Sequence, residues 1–153
     1  MNRFVKDAQL YSDLKGNLVV KAKLRRPIAR LIRNDGPDGY IAEDGTVMPV
    51  SDKFTTRVVL ISGSYIRGLL SLENLNKTKE TKNLMTMLEM IREDDFWRAQ
   101  IAQLDIDSKG RISILPQIGG QTIEFGVADN LETKFEKMKM FYKEILPQKG
   151  WNT

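Results

Sequence analysis

Asp105, Asp107 and Lys109 stand at alternate positions ahead of Gly110, which is how a calcium-binding loop begins. Such a loop needs an oxygen ligand at its fifth position and a bidentate Glu at its twelfth. Here those positions hold Lys109 and Pro116. Two required features fail, and the run reads better as a hairpin turn. Glu93-Asp94-Asp95 offers three carboxylates to a divalent ion, but adjacent residues at a helix end point in different directions. That run reads as a solvated helix terminus. Gly63 and the pair Gly119-Gly120 lack the strand, glycine loop and helix order of a phosphate cradle. Histidine and cysteine are both absent. Imidazole bases, His metal ligands, thiol nucleophiles, zinc-thiolate sites and disulfides are therefore excluded. The remaining enzymatic reading is chemistry by carboxylates and Lys alone. Acidic residues are numerous, but no spacing singles out a pair for acid-base hydrolysis. The expectation is no catalytic residue, no metal and no cofactor.

Charge is unevenly spread. Residues 1–33 carry nine Lys and Arg against Asp7 and Asp13, a net of +7, while residues 34–153 carry 15 basic and 18 acidic residues, a net of −3. A basic end of this kind suits nucleic acid or an anionic membrane surface. It also suits a solvated strand face, because alternation along residues 19–24 puts Lys21 and Lys23 on one side. Only Phe4 and Tyr11 accompany the basic residues, and both fit better as packing under a hairpin than as stacking platforms. A nucleic-acid-binding domain is the alternative reading. No run of 18 apolar residues and no signal-peptide pattern occurs.

The elements that would position any site follow from periodicity. Residues 4–11 and 17–25 read as strands joined through Lys15-Gly16-Asn17, and Pro27 ends the second or moves it to an edge. Residues 28–32 resume an extended segment, and 34–39 form a loop. Residues 40–42 and 46–48 make a hairpin through Asp44-Gly45, and the β-branched run at 56–62 is a buried strand. Leu84, Leu88 and Ile91 place one apolar helical face between about 77 and 95, with Met85 and Met87 as core filler. Phe96-Trp97 leads from that helix into strands. Leu104 and Ile106 alternate with Gln103 and Asp105, Ser108-Lys109-Gly110 turns the chain, and Ile112 with Ile114 answers. Ile123 and Phe125 make a third strand, completing an antiparallel meander with one wet face. Asp129 and Glu132 have the spacing of a capping box, and the apolar residues from Leu131 to Ile145 mark a helix over 130–146, ended by Pro147 and Gly150. The predicted fold class is α+β: a mainly antiparallel sheet with two helices packed on one face, and residues 1–26 as a projecting hairpin.

Arg25-Arg26-Pro27-Ile28-Ala29, the stretch from Tyr40 to Val47, Leu60-Ile61-Ser62-Gly63 and the run from Leu104 to Gly126 follow one another in that order, and in them the chain resembles the bacterial cell-division family FtsQ/DivIB. Arg25-Arg26-Pro27-Ile28-Ala29 after a Val-rich strand is similar to the junction between that family's POTRA and β domains. The stretch from Tyr40 to Val47 looks like its hairpin of aromatic, acidic, glycine and hydrophobic residues. Leu60-Ile61-Ser62-Gly63 resembles the segment before its helix, and the run from Leu104 to Gly126 resembles its meander.

The resemblance implies a non-catalytic divisome scaffold, an interaction module that links early and late division proteins during septum formation. It implies FtsB- and FtsL-like partners bound by sheet-edge and helix contacts. It also implies residence at the cell inner membrane, through one N-terminal helix absent here, with this part in the extracytoplasmic space. On that reading residues 1–26 are the terminal hairpin of a POTRA domain, and 27–153 are a β domain lacking its final strand, open to edge-to-edge self-association. The family's partner surface falls on the last helix and final strand, so Lys134, Lys137 and Lys143 become the candidate partner-binding residues.

Overall fold

The computed structural model describes residues 5–33, 38–49, 57–118 and 120–145. The loop expected at 34–37, Phe4 and Thr56 at the starts of two strand runs, Gly119, and the helix terminators Pro147 and Gly150 lie outside the described residues.

Strands β1 (Val5–Ser12) and β2 (Leu18–Leu24) pair antiparallel in a two-stranded sheet of their own. Asp13 closes their turn by accepting from the backbone N–H of Lys15 and of Asn17, each at 2.9 Å. Among the described residues none of the hairpin's side chains joins the main core, and Leu10, Leu18, Val20 and Leu24 are exposed. The hairpin thus forms a separate sheet outside the main core, and two strands alone are only marginally stable.

The other strands are β3 (Pro27–Leu31), β4 (Gly39–Ala42), β5 (Val47–Pro49), β6 (Val59–Ser62), β7 (Ile101–Ile106), β8 (Ile112–Pro116) and β9 (Ile123–Gly126). They form one sheet in the order β5-β4-β3-β6-β7-β8-β9. Four of its pairings are antiparallel, so the sheet is mainly antiparallel as expected. The central strand β6 departs from the expected pattern, running parallel to both β3 and β7. Parallel neighbours require a crossover, and the helical segment between β6 and β7 supplies one of them. Within β6 only Ile61 is buried, and Val59, Leu60 and Ser62 are half-buried, so the fully buried strand expected over 56–62 is not found among the described residues.

That crossover holds α1 (Ile66–Leu70), a 3-10 turn (Leu75–Lys77), α2 (Lys79–Glu93) and α3 (Asp95–Gln100). Thr78 caps α2 by accepting from Thr81 N–H, and Asp94 caps α3 by accepting from Phe96 N–H at 2.9 Å. Phe96 and Trp97 thus belong to a short helix, not to the lead into β7; six residues are too few to show a helical period. Gly63 stands between β6 and α1, so strand, glycine and helix do occur in that order here, contrary to expectation. Its role is steric: a Cβ there would lie 2.1 Å from the Ile106 carbonyl oxygen.

Helix α4 (Leu131–Met140) follows β9 and continues as a π-helical turn, Phe141–Ile145. The expected capping box does not form. Asn130 is the N-cap, at φ 46°, with no side-chain capping bond, and Asp129 is drawn instead to Lys134. One sheet face carries Ile61, Leu104, Ile106, Ile112, Ile114 and Phe125, which share a buried cluster with Leu84, Leu88, Trp97, Phe135 and Met138 of the helices. The opposite face is wet over β6–β9: Gln103 Nε2 donates to Ser62 Oγ (2.7 Å), Ser62 to Asp105 (2.9 Å), and Ser113 to Glu124 (3.2 Å).

Candidate interaction surface

The surface to which the candidate lysines belong is built from α4 and the outer strand β9. Phe135 and Met138, with Tyr142 in the π-helical turn, face inward. Trp97 meets Phe135 and Tyr142 edge-on at 5.4 and 5.7 Å, and Phe125 of β9 lies 5.4 Å from Phe135. Such ring pairs add to the area they bury, so the aromatic cluster fixes α4 against α3 and β9. Lys139 reinforces the position, 3.6 Å from Asp94 and 5.7 Å from the Phe96 ring centroid.

The three candidate lysines part company. Lys134 is turned back: its Nζ donates to the Val127 carbonyl at 2.8 Å and pairs with Asp129 at 2.7 Å, and it lies 5.0 Å from the Phe125 ring centroid. It closes the β9–α4 connection and does not extend outward. Lys137 and Lys143 are exposed. Met140, 57% exposed, lies between them in sequence, an apolar residue on the outward side that the helical period did not mark. Glu132 and Glu136 share this exposed side, so its charge is mixed. Beside it, β9 forms one end of the sheet, paired with β8 alone among the described residues. An end strand of this kind presents backbone donors and acceptors to an added strand.

Asp94, Asp95, Asp105 and Asp107 are occupied locally. Asp107 accepts from the N–H of Lys109 (2.9 Å) and of Arg111 (3.0 Å) and from the Arg111 side chain (2.8 Å). Those bonds, that of the Arg111 backbone foremost, hold its carboxyl below the ordinary range. Asp105, the other carboxylate of the calcium-like run, serves Ser62. Asp94 caps α3, and Asp95 pairs with Arg98. Among the described residues no three His, Cys, Asp or Glu side chains gather in a way that would hold a metal ion. Burial raises the Tyr142 hydroxyl, and burial followed by the charge of Glu80 raises that of Tyr65, so both stay neutral.

No curated protein sequence matches the chain. The model of the family described as "FtsQ/DivIB, C-terminal related" matches residues 26–153. The match starts where β2 has ended and takes in the whole seven-stranded sheet with its helices. A match over so much of the chain, on a mixed α+β fold carrying the motifs in their expected order, shows that this protein belongs to the FtsQ/DivIB C-terminal related family of cell-division proteins.

Proposed function

We propose that the protein is a non-catalytic interaction module of the bacterial divisome, binding FtsB- and FtsL-type partners through α4 and the outer edge of β9. Family membership over residues 26–153 carries the reading. The end strand suits strand addition, in which backbone hydrogen bonds supply affinity and side-chain pockets supply specificity. Lys137 and Lys143 are the cationic groups that meet acidic residues of a coiled-coil partner, with Met140 as an apolar contact between them. Residues 1–26 are then the last hairpin of a POTRA domain. The exposed apolar side chains of that hairpin support this, because they call for a covering layer. The whole protein sits at the inner membrane with this part outside the cytoplasm. Among the described residues nothing favours the nucleic-acid alternative.

Titration of an FtsB-like extracytoplasmic segment tests the reading. Saturable binding is expected for the protein as it is, with a loss of about fivefold or more in a Lys137→Glu/Lys143→Glu double variant, since reversed charges at an interface repel. Unchanged affinity in that variant would move the site away from α4.

A further inference from the structure

A second recognition feature lies at the other end of the sheet. Arg25, Arg26, Arg57, Arg92 and Arg98 come from four separate stretches of chain: the β2–β3 joint, the residue run before β6, α2 and α3. They converge around one open groove of about 1360 Å³. Its floor is apolar, including Ile28, Leu88, Ile91 and Ile101, each no more than 5% exposed. At its rim stand Leu24 and Ile118, two large apolar side chains that are over 60% exposed. Asp95 is the one acidic residue in the lining among the described residues.

Three of the arginines are held in place by carboxylates. Arg25 Nε lies 2.9 Å from Asp44 and Arg92 Nη2 lies 3.1 Å from Glu43, with both acids outside the lining, while Arg98 pairs with Asp95. Arg57 donates to the neutral Gln117 side chain at 3.4 Å, and Arg26 is exposed. Arg25 also donates to the Val5 carbonyl and Arg98 to that of Arg92, so the paired arginines are fixed at the groove while Arg26 and Arg57 carry no carboxylate partner among the described residues. Side chains fixed in this way lose less freedom on binding.

We propose that this groove binds an extended acidic segment of a partner protein, one that alternates carboxylate and aliphatic side chains. Charge complementarity sets the sign of the ligand, since five guanidiniums outnumber the three carboxylates, Asp44, Glu43 and Asp95, that pair with them among the described residues. The apolar floor and the exposed Leu24 and Ile118 set the rest, because a phosphate or a polyanion makes no use of them. The groove exceeds the roughly 300–1,000 Å³ usual for small-molecule sites. Among the described residues no aromatic side chain lines it, and these offer none of the stacking platforms by which single-stranded nucleic acid is held. A segment seated there spans the joint between the hairpin and the sheet. The site lies apart from α4 and β9, and it does not depend on the partner surface proposed above.

The test is a nuclear magnetic resonance titration of the protein with a peptide of about eight residues alternating Leu and Glu. A Leu-Gln peptide, a Leu-Lys peptide and a short DNA duplex serve as comparisons. The Leu-Glu peptide is expected to shift the amides of Val59, Ala99 and Gln117, and the Leu-Gln and Leu-Lys peptides to leave them in place. An Arg26→Glu/Arg57→Glu variant is expected to weaken the response at least about tenfold, since like charges placed against each other across an interface repel. An Arg26→Gln/Arg57→Gln variant should fall between, and Lys137→Glu/Lys143→Glu should bind the peptide normally. Any one of four results would overturn the proposal: no shift at millimolar Leu-Glu peptide in low salt, an equal response to Leu-Gln, undiminished binding by the folded Arg variants, or a DNA duplex that shifts the same amides at lower concentration.

Discussion

Replacing Gly63 with Ala should damage this fold more than any other single methyl group added to it. Gly63 has φ 104°, outside the range an L-residue adopts comfortably, and that alone costs about 1–2 kcal/mol. The larger part is contact. The new Cβ would lie 2.1 Å from the Ile106 carbonyl oxygen and 2.8 Å from both the carbonyl carbon and the backbone nitrogen of Ile106. All three are main-chain atoms at the end of β7, so no flexible side chain can yield. Relief means parting β6 from β7 by an ångström or so, and the Tyr65 N–H bond to that same oxygen, 3.2 Å long, goes with it. Losing that bond and loosening the Ser62–Asp105 pairing adds about 1 kcal/mol for each hydrogen bond given up. The total is about 3–5 kcal/mol, within the diagnostic tail of point mutations. Gly68 is the control, five residues on and inside α1, with open space where its Cβ would go. Gly68→Ala should stabilise by about 0.4–1 kcal/mol through helix propensity and a less flexible unfolded chain. Urea unfolding followed by circular dichroism reads both as midpoint shifts at constant slope. The reasoning is refuted if Gly63→Ala loses less than about 1 kcal/mol, or if Gly68→Ala loses as much as Gly63→Ala does.

Trp97→Ala should cost about 3–5 kcal/mol, measured by the same unfolding curves, because the buried indole joins Phe96, Phe135 and Tyr142 and its loss leaves a cavity beneath α4. Thr81→Val should cost about 1–3 kcal/mol, since the buried Thr81 hydroxyl donates to the Leu75 carbonyl at the entry to α2 and nothing else in the variant would serve it. Burial acts to raise the Asp44 carboxyl, but bonds from Thr46 and Arg25 together outweigh it, and the carboxyl ends below its ordinary value. The folded state therefore holds that proton less readily than the unfolded chain. The stabilisation is complete above the unfolded value of about 3.9 and disappears as pH falls through the lower folded value. Asp44→Asn should thus be less stable than the parent at pH 7, with the gap closing below about pH 4; a gap of unchanged size at pH 3 would argue against the assignment.

Local chemistry made the turns legible. Gly16, Gly45 and Gly110 follow turn-forming neighbours, and each carries the positive φ that those sequences favour. Helix α2 was legible because its fifteen residues hold four turns of one apolar face. The parallel pairing of β6 was not, because it joins strands more than 25 residues apart and leaves no local mark beyond an apolar composition. Asp129 and Glu132 have the right spacing for a cap, but Lys134 competes for the Asp129 carboxylate, and spacing says nothing about competitors. The same interaction separates Lys134 from Lys137 and Lys143, which a helical repeat alone treats alike. Met140 falls off the buried period, and only its exposure marks it. The five arginines of the groove are spread over residues 25–98, and only the crossover over β6 brings them together.

The claim that α4 and β9 form the divisome-facing surface is tested most directly by site-specific photocrosslinking in living cells. The crosslinker is placed in turn at Glu124 on β9, at Lys137 on α4, and at Leu10 and Val20 on the hairpin, all exposed positions. Crosslinks to an FtsB-like protein from Glu124 and Lys137, and not from Leu10 or Val20, are the predicted result. Crosslinks to that protein from the hairpin alone, with Glu124 and Lys137 silent, would contradict it.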